Sequence, residues 1–113
     1  MIELSAPMPP STNNLFLNVK GRGRVPTKRY TEWRIAAGMV LSAQHLSRLC
    51  GPVELEYAFG TDTRADLGNL EKAVTDLLVS SSIIDGDSKK TVKRISMWWA
   101  DHEGVKITIR RAS

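Results

Sequence analysis

Cysteine is almost missing from this chain. Cys50 is the one thiol among 113 residues, so no internal disulfide can form and a reducing cytoplasm is the expected setting. Standing at the end of an apolar helical stretch, it reads as a small buried hydrophobe. No apolar run approaches the length of a membrane span and the amino end carries no signal-peptide pattern, so no membrane partner is expected. Histidine is scarce too. His45 and His102 have no metal-ligand partner at a useful spacing and read as structural or solvated. Repeats, low-complexity tracts and linkers are lacking, and the length suits one domain over residues 1–113.

Acidic residues thin out between Lys20 and Arg34. There Lys20, Arg22, Arg24, Lys28, Arg29 and Arg34 are opposed only by Glu32, within an overall charge of +4. Glycines and a proline place the middle of this run, Gly21 to Pro26, in a mobile loop. A cationic arm of this kind can follow a phosphate backbone, and a solvated face explains the same charges.

Ordinary hydrophobic content supports an α/β or α+β domain in the order β-α-β-α-β-β, with two main helices packed on a mixed sheet of about four strands. Ile2 to Ala6 alternates as a first strand and stops at Pro7, Pro9 and Pro10. Leu15 to Leu17 is a brief strand or a buried loop anchor. Thr27 or Thr31 can cap a helix running to about Leu49. Its apolar face is Ile35, Met39, Leu46 and Leu49, with Ala36, Val40 and Ala43 beside them. Val53 to Phe59 alternates strictly, Glu54 and Glu56 opposing the large apolar residues. Near the carboxyl end Thr91 to Ala100 places Ile95, Met97 and Trp99 on one face. Trp98 falls on the other, exposed or packed under the basic arm. Asp101 to Gly104 reads as a hairpin turn into a last strand with Val105, Ile107 and Ile109.

The stretch Asp66 to Asp87 organises the rest. Leu67, Leu70, Val74, Leu77 and Leu78 form one helical stripe. Asp66 stands at the N-cap, with Asn69 and Lys72 on its side of the helix. After Ser80-Ser81-Ser82 the chain turns through Ile83-Ile84 into Asp85-Gly86-Asp87. If that turn folds back to the helix start, carboxylates distant in sequence meet. Carboxylates gathered in a basic protein fit a divalent cation and metal-assisted phosphodiester hydrolysis, the lysine neutralising charge on the phosphate. A capped helix and a polar turn account for the same residues.

The run Asp66-Leu67-Gly68-Asn69-Leu70-Glu71-Lys72-Ala73, then Asp76-Leu77-Leu78 and Asp85-Gly86-Asp87-Ser88, resembles the RusA family of Holliday-junction resolvases. So do Pro9-Pro10-Ser11-Thr12-Asn13-Asn14, the basic loop and Trp33-Arg34. The resemblance implies a small homodimer, bacterial or phage-borne and cytoplasmic. Its implied activity is to bind four-way DNA junctions and nick two opposing strands with Mg²⁺, or Mn²⁺ as the alternative ion. The family motif is Asp-Leu-Asp-Asn-Leu-x-Lys with a later acidic residue. The resemblance therefore assigns catalytic roles to Asp66, Asn69, Lys72 and Asp87 and metal ligation to Asp66 and Asp87. The charge pattern itself marks Lys20, Arg22, Arg24, Lys28 and Arg29 for phosphate contact, with Arg64 close to the metal end. Gly68 departs from the family motif, standing where the second aspartate belongs. Three consequences stay open: Asp85 substitutes as a ligand, Asp66 and Asp87 suffice with water, or the chain binds junctions without cutting them.

Overall fold

The computed structural model describes residues 1–44 and 48–112. Its sheet follows from the alternating segments. Strands β1 (Ile2–Ala6), β4 (Val53–Phe59), β5 (Val92–Trp99) and β6 (Val105–Arg111) lie in the order β1-β6-β4-β5. Each alternating strand turns its apolar set one way. Leu4, Val53, Leu55, Tyr57, Phe59, Ile107 and Ile109 are buried under the helices α1 (Lys28–Gln44) and α2 (Glu71–Ser80). The opposite face is polar, with Arg110 and Glu56 paired at 2.8 Å, as suits a sheet with one solvated side. The class is α+β, with the expected mixed four-stranded sheet and two helices.

Four local expectations are corrected. The first is the Asp101–Gly104 hairpin. β5 runs parallel to β4 and β6 antiparallel to it on the other side, so β4 lies between them. The loop from β5 to β6 instead wraps the end of β4. There Gly60 N–H donates to the Gly104 carbonyl (2.7 Å) and Gly104 N–H to Asp62 Oδ1 (3.2 Å). Gly104 has φ 72°, and a Cβ there would lie 2.5 Å from the Ala6 carbonyl; only glycine suits that place.

The second concerns the basic loop. Residues 21–26 belong to a β-hairpin, β2 (Phe16–Val19) with β3 (Gly23–Pro26), forming a separate two-stranded ribbon. Gly21 and Gly23, both at positive φ, make the tight return that composition alone marked as mobile.

The third is the face of α1. Thr27 caps the helix, its hydroxyl accepting from Tyr30 N–H at 3.1 Å, but the buried residues are Tyr30, Trp33, Ala37 and Leu41. Ile35 and Met39 are 62% and 69% exposed. The middle of α1 is apolar on several sides, so periodicity left its rotation undetermined. The aromatic pair decides it: Tyr30 stacks on Trp33 and Trp33 Nε1 donates to the Pro7 carbonyl (3.0 Å), burying more area than the aliphatic stripe would. His45 and Leu46 lie outside the described residues, and Leu49 is not helical.

The fourth is Cys50, which is exposed because the chain has left the helix and is turning at Gly51, φ 86°. Trp98 is exposed on the polar face of the sheet, near Ala58 and Lys106. Trp99 is exposed as well, lying at the end of β5, which among the described residues is the edge of the sheet.

Candidate active site

The loop Gly60–Ala65, clamped by Gly104, delivers Asp66 to the start of a 3-10 turn, Leu67–Asn69. Asp66 takes the cap position with extended backbone, but its carboxylate caps nothing. The α-helix begins only at Glu71. Gly68 weakens a helical first turn, and the chain winds tightly there before α2 starts. The 3-10 turn rotates Asp66 and Asn69 out of phase with Lys72. The expected single side of one helix is therefore split in two.

One part is a cleft of about 880 Å³ lined by Asp66, Asn69, Arg64, Arg29, Asn13 and Asn14 among others. The Thr12 hydroxyl donates to the Asn69 carbonyl (3.0 Å), tying the 12–14 turn to the 67–69 turn. The other part is a smaller hollow on α2, lined by Glu71, Lys72, Thr75, Asp76, Asp87 and Ile95. There Lys72 Nζ lies 3.2 Å from Asp76 Oδ1 and 3.8 Å from Asp87 Oδ2. The Asp76 hydrogen bond, helped by the charges of Asp76 and Asp87, holds the Lys72 ammonium above its ordinary pKa. It stays charged at neutral pH, ready to face a phosphate.

Beneath this hollow α2 is fixed to the sheet by a short polar chain. Tyr57 and Thr75 share a buried hydrogen bond between hydroxyls (2.8 Å), and Thr75 Oγ1 donates to Glu71 Oε2 (2.6 Å). Burial holds the Tyr57 phenol well above its usual pKa, so it stays neutral. Thr75 sits between Lys72 and Asp76 along the helix, and its bond sets the depth at which both emerge.

Asp76 is the residue to which sequence reasoning gave no role, although it lay within the quoted motif. Its position four residues after Lys72 was the available signal, since such pairs meet on a helix surface.

Asp85 points elsewhere. One carboxylate oxygen pairs with Arg48 and the other accepts from Gly51 N–H (2.8 Å), so it staples the turn after α2 to the turn before β4. The Gly51 bond, with Arg48 adding to it, lowers the Asp85 pKa. A carboxylate depressed in the folded state stabilises fully above the ordinary carboxylate range and loses that contribution as pH falls through its lowered value. Asp85→Ala is therefore expected to lower Tm at neutral pH. The gap to the parent should close on acidification, as thermal melts at pH 7 and near pH 3 would show; an equal gap at both would contradict the staple.

The expected DNA contacts are distributed. Lys20 and Arg22 lie at the exposed tip of the ribbon. Arg24 stacks over the Phe16 ring, 4.0 Å from its centroid, and Lys28 pairs loosely with Glu32 at 3.6 Å. Arg29 and Arg64 line the cleft that holds Asp66. Among the described residues no three acidic, histidine or cysteine side chains gather closely enough to cage a metal ion, and no helix is long and apolar enough to cross a membrane.

No curated protein matches the chain. The family model for endodeoxyribonuclease RusA matches residues 7–110, nearly the whole length, including both clefts and the ribbon. The chain therefore belongs to the RusA family of endodeoxyribonucleases, which resolve Holliday junctions by hydrolysing phosphodiester bonds of DNA.

Proposed function

We propose that this chain is a Mg²⁺-dependent, structure-selective endodeoxyribonuclease that resolves four-way junctions by paired symmetric nicks in DNA recombination and repair. The observation that carries the reading is Lys72, a charged ammonium flanked by Asp76 and Asp87 in an open hollow, in a chain of this family. Lys72 neutralises charge developing on the scissile phosphate. Arg29 and Arg64 hold the backbone beside Asp66, and Asn69 orients the strand in the same cleft.

The donor set fits a hard cation bound through few carboxylates and mostly water, the usual manner of Mg²⁺. Asp66 is exposed and caps nothing, and among the described residues Asp87 pairs with Lys72 alone, at 3.8 Å. Asp66 lines the cleft and Asp87 the neighbouring hollow, so the ion would be approached by one carboxylate from each side with water between, whereas Asp85 has both oxygens engaged elsewhere. When bound, such an ion polarises the phosphoryl oxygen and lowers the pKa of the attacking water. A four-way junction has two-fold symmetry, so symmetric cutting calls for two equivalent sites and hence a homodimer.

Gly68 favours a second reading, a junction-binding protein with weakened cleavage, because no side chain stands there to complete the acidic set. The test uses a labelled four-way junction in Mg²⁺ and in EDTA, with the parent, Asp87→Asn and Gly68→Asp. Paired nicks that need both Mg²⁺ and Asp87 are expected, with binding retained in Asp87→Asn. Cleavage undiminished in Asp87→Asn would refute the assignment. Gly68→Asp is expected to speed cutting roughly ten-fold or more, on the scale of a gained metal-site partner. Nothing lies within 4 Å of a Cβ built at Gly68 and its φ is not positive, so the aspartate enters without strain. Retarded but uncut junction in every parent lane, with cutting restored by Gly68→Asp, would establish the second reading.

A further inference from the structure

The ribbon β2–β3 has an anchored face and a bare one. Antiparallel pairing sets Leu17 opposite Val25 and Val19 opposite Gly23, so Leu17, Val19 and Val25 share one face. Leu17 is 60% and Val19 37% exposed. On the other face Phe16 packs edge-on against Tyr30, ring centroids 5.5 Å apart, and carries Arg24 on its ring. The base is tied by Thr27 N–H to the Leu15 carbonyl (2.9 Å) and by the Thr27 hydroxyl to the Asn14 carbonyl (2.6 Å). A two-stranded ribbon is marginal alone. These contacts anchor it while Leu17 and Val19 stay exposed on the opposite face and Val25 lies half-buried beside them.

Charge identifies what covers that face. From Glu3 to Glu32 no carboxylate intervenes, and Lys20, Arg22, Arg24, Lys28 and Arg29 all fall within the interval. An apolar strip on a ribbon whose charged residues, Lys20, Arg22 and Arg24, are all cations suits apolar surface that is itself bordered by phosphates, the exposed face of an unstacked base pair. A continuous duplex hides those faces; a branch point uncovers them. Apolar side chains inserted at base steps are an established way for proteins to grip deformed DNA. The root of the ribbon adjoins Asn13, Asn14 and Arg29, which line the cleft of Asp66, so a junction centre on the ribbon lies beside that cleft.

We propose that Leu17, Val19 and Val25 form an aliphatic wedge that packs on unstacked base pairs at the branch point of a DNA junction, while Lys20 and Arg22 hold the flanking phosphates. The wedge makes the enzyme selective for structure. This rests on the endonuclease reading above and adds the element that chooses the substrate.

The test compares the parent with Leu17→Thr/Val19→Thr, which keeps strand-compatible side chains, and with Lys20→Ala/Arg22→Ala. Circular dichroism confirms the fold of each. Affinities are measured for a four-way junction and for a linear duplex of equal length, alongside the fluorescence of an adenine analogue placed beside the branch point. The threonine variant is expected to lose about ten-fold in junction affinity, the scale of burying part of two aliphatic side chains. Its duplex affinity should hold within about two-fold, with the fluorescence change reduced. The alanine variant is expected to weaken on both DNAs and to show a shallower salt dependence. Unchanged junction preference in the threonine variant would overturn the wedge alone. So would loss of self-association on sedimentation, which would make the face a contact between copies of the chain. A parent with no junction preference would overturn the endonuclease reading and the wedge together.

Discussion

Lys72→Ala is expected to slow junction cleavage by about 10²–10³-fold, the cost of removing one preorganised group that meets developing charge. Single-turnover rates with enzyme in excess would read this directly. Junction affinity should change by no more than a few fold, because Lys72 is one cation among several and stands half exposed in the hollow of Asp76 and Asp87. Two acidic residues left beside each other lose their shared partner, but at this exposure the ion pairs contribute little to stability, so Tm should barely move. Lys72→Arg separates charge from geometry. The planar guanidinium keeps the positive charge and cannot place a point charge in the same position, so partial activity is expected. A rate within three-fold of the parent in Lys72→Ala would remove Lys72 from the reaction and leave it a surface ion-pair partner.

Phe59→Ala carries the largest expected effect on stability, a loss of about 3–5 kcal/mol, or roughly 13–21 °C in Tm for a domain of this size. Phe59 is fully buried at the end of the central strand, its ring edge-on to Tyr57 with centroids 6.0 Å apart. Its carbonyl accepts from Ala100 N–H (2.7 Å), so the same residue packs the core and closes the end of the sheet. A whole domain is commonly stable by only about 5–15 kcal/mol, so one such cavity consumes a large share. The loop that follows carries Asp66, and its placement depends on this end of β4 staying ordered. Chemical denaturation with an unchanged m-value and a lower midpoint would confirm the loss; a shift below about 1 kcal/mol would show that the site collapses around the gap.

Much of the fold was legible because strict alternation leaves little choice. Val53–Phe59 and Val105–Arg111 could bury their apolar sets in only one way, and the α2 stripe of Leu70, Val74, Leu77 and Leu78 is buried as its spacing predicts. The capping chemistry of Thr27 was legible for the same local reason. Rotation of α1 was not: its apolar residues spread round the helix, and the choice fell to Trp33 and its bond to Pro7. Strand adjacency was not either. A short turn between two strands looks like a hairpin until a third strand, here β4, claims the place between them through longer-range pairing.

The sequence by itself determined the class of the fold, the family motif and the cationic stretch, since these live in residue type and spacing. Only the tertiary structure decided how the acidic residues divide. Asp85 staples two turns through Arg48 and Gly51, whereas Asp76 and Asp87 gather on Lys72. It also decided that the basic segment is a rooted ribbon rather than a free arm. The physical reason is the same for both: a side chain's partner is set by which elements pack together, and sequence spacing reports only neighbours along one element.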